Sequence, residues 1–263
     1  MVLFIICFLT AFLACSIGTI CGMGGGIIIK PVLDATGVMS VSAITFMSGC
    51  TVIAMTCWSV GKTMVKKESV IDLKNTTYLA IGAAVGGLLG KQLYNMVAKL
   101  FADADTAGGV QALLLLIATL ATFIYTINKN KITAKKITSP AIAIIIGLFL
   151  GILGSFLGIG GGPFNVAVLY YFFSMNTKTA TQNSLYIVLF SQVTSTLKTA
   201  CFDAIPAFDV FALIGMVIFG IAGSELGRQI NRKIDDKQAT YLFEGAMLLI
   251  MCINIYNVIK FFN

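Results

Sequence analysis

The chain has 263 residues, of which 58% are hydrophobic and 11% charged, with a mean hydropathy of +0.94. A water-soluble domain carries about 25% charged residues, so this chain lacks the polar surface to face water and belongs in a bilayer. Its net charge of +7 comes from basic residues gathered in short connections, a pattern of membrane topology rather than of nucleic-acid binding.

In chain order, the first apolar segment covers residues 2–20. It has no basic leader and no small-residue cleavage site, so it reads as a retained span rather than a signal peptide. It runs into Gly22-Met23-Gly24-Gly25-Gly26 and then a short apolar piece, 27–37. Long apolar segments follow at 41–61, 76–97 and 109–127. Residues 128–139 are polar and basic and end at Pro140, which marks a linker. Beyond it come a long segment at 140–157, the run Gly158-Ile159-Gly160-Gly161-Gly162, a short piece at 163–175, and long segments at 180–197, 208–226 and 240–261. A helix needs about 20 apolar residues to cross the hydrocarbon core. The expected fold is therefore an all-α polytopic membrane protein with about eight long spans and two short Gly-broken helices.

The two glycine runs are offset by 136 (158 − 22), and the same shift pairs Met39 with Met175, Thr45 with Thr181, Ser48 with Ser184, Ser59 with Ser195 and Lys62 with Lys198. A shift of 137 (227 − 90) then aligns Gly90-Lys91-Gln92-Leu93 with Gly227-Arg228-Gln229-Ile230. The chain divides into a first repeat at 1–128, a linker at 129–139 and a second repeat at 140–263. Basic residues in the connections around 62–74, 128–139 and 228–237 place those connections in the cytoplasm, whereas the regions of Asp103/Asp105 and Asp203 face out. Passing from Lys136 inside to Asp203 outside takes an odd number of crossings. Two long spans alone would give an even number, so the glycine-broken region changes the count, either by a short crossing or by a re-entrant hairpin. Both choices invert the second repeat relative to the first, which is the sequence signature of a secondary transporter.

Glycine lets the backbone turn sharply and removes side chains between backbone and ligand. Uncovered backbone at membrane depth is tolerated only inside protein or beside water, so each run implies a broken helix lining a cavity. The N-terminus of the short helix that follows suits an anion. Close helix packing is the competing account of membrane glycines, and it fits Gly82, Gly86, Gly87, Gly90, Gly147, Gly151, Gly154, Gly215, Gly220 and Gly223. The candidate substrate-binding backbone is Gly24, Gly25, Gly26, Gly160, Gly161 and Gly162.

The stretch from Gly22 to Leu33 resembles the motif of the TauE/SafE sulfite exporter family, in the 4-toluenesulfonate uptake permease superfamily. The second copy departs from it: Pro163 follows the glycines at once, and Ala167 stands where the first copy has Pro31. The resemblance implies a multi-pass protein of the plasma or bacterial inner membrane that carries sulfite, thiosulfate or an organosulfonate.

Hydroxyls and amides can donate to such an anion without the cost of burying a full charge. Thr45, Ser48, Thr181, Gln182, Asn183, Ser184 and Gln192 are the candidates, with interhelical bonding as the alternative. Lys62 and Lys198 stand at span ends, where they snorkel to headgroups or draw anions to each mouth. Lys30 and Asp34, four apart, are spaced to pair, and Lys30 is the cation nearest the first glycine run. Glu225 and Arg228 end one span, and Glu244 lies five residues into another. Seven cysteines show no ligand spacing and there is no histidine, so neither a metal nor a cofactor is expected.

The resulting expectation is alternating-access transport of a small sulfur-containing anion held between the two breaks, with no catalysis. The partners are that anion and the lipid bilayer, a homodimer is compatible, and no nucleic acid is involved. An anion channel, a membrane thiol enzyme using Cys21, and an assembly subunit without transport are the rival readings.

Overall fold

A computed structural model describes residues 2–37, 39–66, 69–100, 104–203 and 205–262. Lys67, Asp103 and the side chain of Asp105 lie outside the described residues. The described part is all helical: α1 (Val2–Cys21), α2 (Gly26–Thr36), α3 (Val41–Val65), α4 (Leu73–Ala98), α5 (Ala104–Asn128), α6 (Pro140–Phe156), α7 (Pro163–Phe173), α8 (Thr177–Phe202), α9 (Val210–Lys233) and α10 (Asp236–Phe262). Eight helices are long and two, α2 and α7, have 11 residues each. Six of them (α1, α3, α5, α8, α9 and α10) are long and apolar enough to cross a membrane. The protein is a multi-pass helical membrane protein.

Several helices run past the sequence expectation, among them α8, which spans Thr177–Phe202 and holds Lys198 inside it. The basic residues read as connections belong to helix ends: α3 continues through Lys62 to Val65, and α9 continues through Arg228 to Lys233, leaving only residues 234 and 235 before α10. Long basic side chains can run their stems along a helix to the headgroups, so a helix outlasts its apolar window.

Side-chain caps start four of the helices. Ser40 and Asn176 accept from Ala43 N and Thr179 N at the starts of α3 and α8, while Asp72 and Asp209 do the same for α4 and α9. Each bond satisfies one of the amides left free in a helix's first turn.

Glycine governs how the helices pair. On α4, a Cβ at Gly82, Gly86 or Gly90 would run into the backbone of α6, and one at Gly147 or Gly151 on α6 would run into α4. The α1–α9 seam is built likewise at Gly223 and Gly227, and Ser16 Oγ donates across it to Gly223 O at 3.0 Å. Gly154 differs from this pattern, for it packs on the second glycine break itself.

The seams also fix direction. Residue numbers rise together from Phe4–Phe211 to Ile20–Asn231, so α1 runs parallel to α9. They rise together from Gly82–Ile144 to Tyr94–Phe156, so α6 runs parallel to α4. The short helices then turn back. Pro31 O accepts from Asn257 Nδ2 at 2.8 Å and Asp34 O from Lys260 Nζ at 3.1 Å, which places the end of α2 beside the end of α10. Tyr171 O and Phe172 O accept from Lys135 N and Ile137 N, which places the end of α7 on the basic linker. Of the two paths left open by the sequence, each glycine-broken unit takes the re-entrant one. The α1–α2 hairpin returns to the end opposite the linker, and the α6–α7 hairpin returns to the basic end.

Candidate functional site

The two breaks share the same turn of left-handed glycines. Gly22 and Gly24 have φ of 72°, and Gly158 and Gly160 have φ of 71°. This is the left-handed region, which costs an L-residue with a Cβ about 1–2 kcal/mol. Met23 N donates to Gly18 O at 3.1 Å, and Ile159 N donates to Gly154 O at 3.0 Å. Gly18 and Gly154 lie so close under the turns that a Cβ would stand 2.6 Å from Gly24 C in one and 2.9 Å from Gly160 C in the other. Each turn then releases a helix. The first is α2, with Gly25 at its N-cap. The second is α7, with Gly162 extended and Pro163 at its first position, where a missing N–H costs nothing.

The breaks meet. A Cβ on Gly26 would stand 2.8 Å from Ile159 O, so the two interrupted segments touch backbone to backbone. Each hairpin also rests on the long helix of the other half. Gly22 lies against the backbone of Thr181 on α8, and Gly158 lies 3.1 Å, measured from its Cβ position, from Thr45 on α3. Val52 and Val188, near the middles of α3 and α8, flank the open face of Gly24 at 3.8 and 3.4 Å.

The polar candidates divide into four groups. Thr45 and Thr181 reach the breaks but donate to their own preceding turns, to Val41 O at 2.7 Å and Thr177 O at 2.8 Å, leaving oxygen lone pairs outward. Ser184 donates to Gly22 O at 2.5 Å, whereas its equivalent Ser48, 1% exposed, has no hydrogen-bond partner among the described residues. Gln192 lies over the second break: its amide group occupies the space in front of both Gly160 and Gly49.

Asn183 points elsewhere, and Gln182 reaches both the α3–α4 connection and a polar cavity beside the first break. Gln182 Oε1 accepts from Val70 N at 3.2 Å. Asn183, fully buried, accepts from Asp72 N at 2.9 Å and from Thr76 Oγ1, and donates to Thr179 O at 2.7 Å. The Asn183 amide thus clamps the α3–α4 connection onto α8, and the structure does not bring it to the glycine breaks.

Sequence reasoning missed one residue. Asn165, in the first turn of α7, is 1% exposed. Its Nδ2 lies 2.9 Å from the Cβ position of Gly161, and its Oδ1 has no hydrogen-bond partner among the described residues. The available signal was a lone amide inside an apolar stretch three residues after a glycine run.

This small polar cavity of about 30 Å³ opens beside the first break at the basic end, lined by Thr19, Ser59, Thr63, Thr181, Gln182, Arg228, Asn231 and Arg232. Arg228 is bridged to Glu225 at 2.7 Å, which also meets Lys62 at 3.0 Å. The repeat shift carries Thr19, Ser59, Thr63 and Arg228 onto Ser155, Ser195, Thr199 and Lys91. All four of these are buried. Hydroxyls and cationic side chains thus stand on either side of the breaks.

Known proteins carry the same sequence pattern. Residues 7–255 match the sequence model of the sulfite exporter TauE/SafE family. The chain is 26% identical over 278 residues to the probable membrane transporter protein YunE of Bacillus subtilis (strain 168), an alignment covering 96% of this chain and 97% of that protein. No solved structure matches it. With the family pattern running through both broken hairpins and the helices around them, the chain belongs to the sulfite exporter TauE/SafE family of membrane transporters.

Proposed function

We propose that the protein is a secondary transporter of a small sulfur-containing anion, such as sulfite, thiosulfate or an organosulfonate, working by alternating access. The anion is held between Gly24–Gly26 and Gly160–Gly162, with Thr45, Ser48, Thr181, Ser184, Gln192 and Asn165 around it. The observation that carries this reading is the direct contact of the two interrupted helices, Gly26 against Ile159, with matched left-handed glycines in each.

Three features support it. Broken helices at the interface of inverted repeats are the recurring substrate site of secondary transporters. Ser48 Oγ, one helical turn beyond the Thr45 that meets Gly158, is a buried donor with no partner among the described residues, and a donor of this kind is costly to bury unless it finds a partner. The halves at 1–128 and 140–263 exchange contacts in kind: α1 packs on α9 as α6 packs on α4, and α2 on α10 as α7 on α5. A scaffold of that sort has two related arrangements, one opening toward each side of the membrane.

The test is reconstitution of the purified chain in liposomes, followed by counterflow of labelled sulfite, thiosulfate and methanesulfonate. Saturable counterflow of at least one of them is expected, weakened about tenfold or more by Ser48→Ala combined with Asn165→Leu. A flux that neither saturates nor exchanges would point to a channel, and undiminished exchange by the double variant would place the anion elsewhere.

A further inference from the structure

The ion pair on α2 is not required by the fold. Lys30 Nζ and Asp34 Oδ2 stand 2.6 Å apart, with both side chains 4% exposed. The equivalent positions on α7 hold Val166 and Tyr170, so a short helix returning from a glycine break forms without such a pair. Two buried charges lose hydration that their mutual attraction only partly restores, and apolar replacements of a buried pair are often no less stable. An ionisable pair kept inside a membrane protein points to a use for the charge.

Its position suggests the use. Lys30 Cε lies 3.2 Å from the Cβ position of Gly158, next to the Thr45 side chain, so the lysine of the first hairpin reaches the break of the second. Asp34 Oδ1 is buried without a hydrogen-bond partner. Around the pair, α10 contributes Lys260, whose Nζ bonds Asp34 O and Ala35 O at 3.1 Å. From α4, Tyr94 lies within electrostatic reach of Asp34 and Lys91 within reach of Lys30, and Lys91 also senses Lys198 and Asp203. The titratable groups of α1 are thiols only, Cys7, Cys15 and Cys21, and those of α3 are Cys50, Cys57 and the distant Lys62. The carboxylates of α10, Asp236 and Glu244, lie in its first third, whereas its last turn, with Lys260, is the part that meets Asp34; α1, α3 and α4 carry no carboxylate.

Building on the transport reading above, we propose that Lys30 and Asp34 couple the anion to a proton. An anion arriving at Gly158 draws the Lys30 ammonium away from Asp34. The carboxylate, left buried without its counter-charge, takes up one proton from water on the open side. Release of the anion on the other side returns Lys30 to Asp34 and expels the proton there. One anion and one proton cross together, and no bond other than O–H is made or broken.

The experiment uses the full chain in liposomes with thiosulfate and methanesulfonate, whose charges are fixed near neutral pH, and a pH dye in the lumen. With the membrane potential shunted, a gradient of one pH unit, acid outside, supports accumulation up to about tenfold for one-to-one coupling. Accumulation of that order, with acidification of the lumen at one proton per anion, is expected of the unaltered chain. Asp34→Asn, which keeps an acceptor for Lys30 but holds no exchangeable proton, should retain counterflow and lose gradient-driven accumulation. Counterflow by the unaltered chain with no lumen acidification overturns the coupling whatever the variant does, and so does tenfold accumulation by Asp34→Asn. Absence of counterflow for these two anions and for sulfite removes the transport reading itself, and the coupling with it.

Discussion

Gly22 and Gly24 share a backbone conformation but not surroundings, and alanine at each separates strain from contact. At Gly24 the space for a methyl group is ordinary: the nearest atoms are Val188 Cγ1 at 3.4 Å and Val52 Cγ1 at 3.8 Å from the Cβ position. Gly24→Ala should therefore cost only the left-handed backbone, about 1–2 kcal/mol. At Gly22 the same strain applies, and the methyl group would also stand 2.5 Å from Thr181 Cα and 2.9 Å from Thr181 O. That backbone belongs to the interior of α8 and cannot move without repacking, and overpacking of this kind adds about 1–3 kcal/mol. Gly22→Ala should thus be destabilised by about 2–5 kcal/mol in all, which sums the two ranges. Thermal unfolding in detergent, followed with a thiol-reactive dye, reads this directly, since Cys7, Cys15 and Cys21 are buried in the folded protein. The reasoning fails if the two variants melt together, or if Gly24→Ala is the worse.

Three further outcomes follow from particular contacts. Asn183→Leu removes the acceptor of Asp72 N and Thr76 Oγ1, leaving the buried Thr76 hydroxyl unpaired at about 1–3 kcal/mol and the half-buried Asp72 amide without its bond. It should lower the melting temperature far more than it changes the half-saturating anion concentration in counterflow, and the opposite pattern would return Asn183 to the substrate site. Gly151→Leu drives a side chain into Ala83 on the α4–α6 seam and should abolish folded protein in a detergent size-exclusion profile, whereas Gly245→Leu, with open space around it, should leave that profile unchanged. Lys129 has its ammonium held below the ordinary lysine range by burial, with Asp236 and Glu244 pulling it partly back. The unfolded chain then binds more protons between the lowered value and the ordinary one, so stability rises as pH climbs through that window. In melts from pH 8 to 11, Lys129→Met should flatten the rise, and an unchanged slope would count against the assignment.

Element type was legible because bilayer-length apolar runs leave few alternatives, and the glycine breaks were legible because they occur twice. What the sequence left open was direction. Whether α2 crossed or returned depended on Asn257 and Lys260 meeting carbonyls some 226 positions away, a pairing no local pattern carries. The polar candidates divided for a similar reason. Thr181, Gln182, Asn183 and Ser184 are consecutive, yet a helix turns about 100° per residue. Ser184 and Thr181 therefore face the first hairpin while Asn183 faces the α3–α4 connection. Asn165 escaped notice because its partner in the repeat is Ile29, so a search for matched polar residues passes over it.

The remaining asymmetry between the halves bears on which way the site opens. Ser184 Oγ donates to Gly22 O at 2.5 Å and latches the first hairpin to α8, while Ser48, its counterpart on α3, has no such bond to the second hairpin. Under the alternating-access proposal, exchange of roles between the halves would put Ser48 on Gly158 O and release Ser184. One hydrogen bond of this kind is worth about 0.5–1.5 kcal/mol net, enough to shift a two-state population about two- to tenfold. Ser184→Ala should shift the population away from the arrangement seen here, and Ser48→Ala toward it. Backbone hydrogen exchange is the suitable readout. Ser184→Ala should speed exchange at Met23–Gly25 and slow it at Ile159–Gly161, and Ser48→Ala should leave the first hairpin at least as protected as in the unaltered chain. Equal acceleration of both hairpins by both variants would mean that the hydroxyls merely support packing, and that the two halves do not trade places.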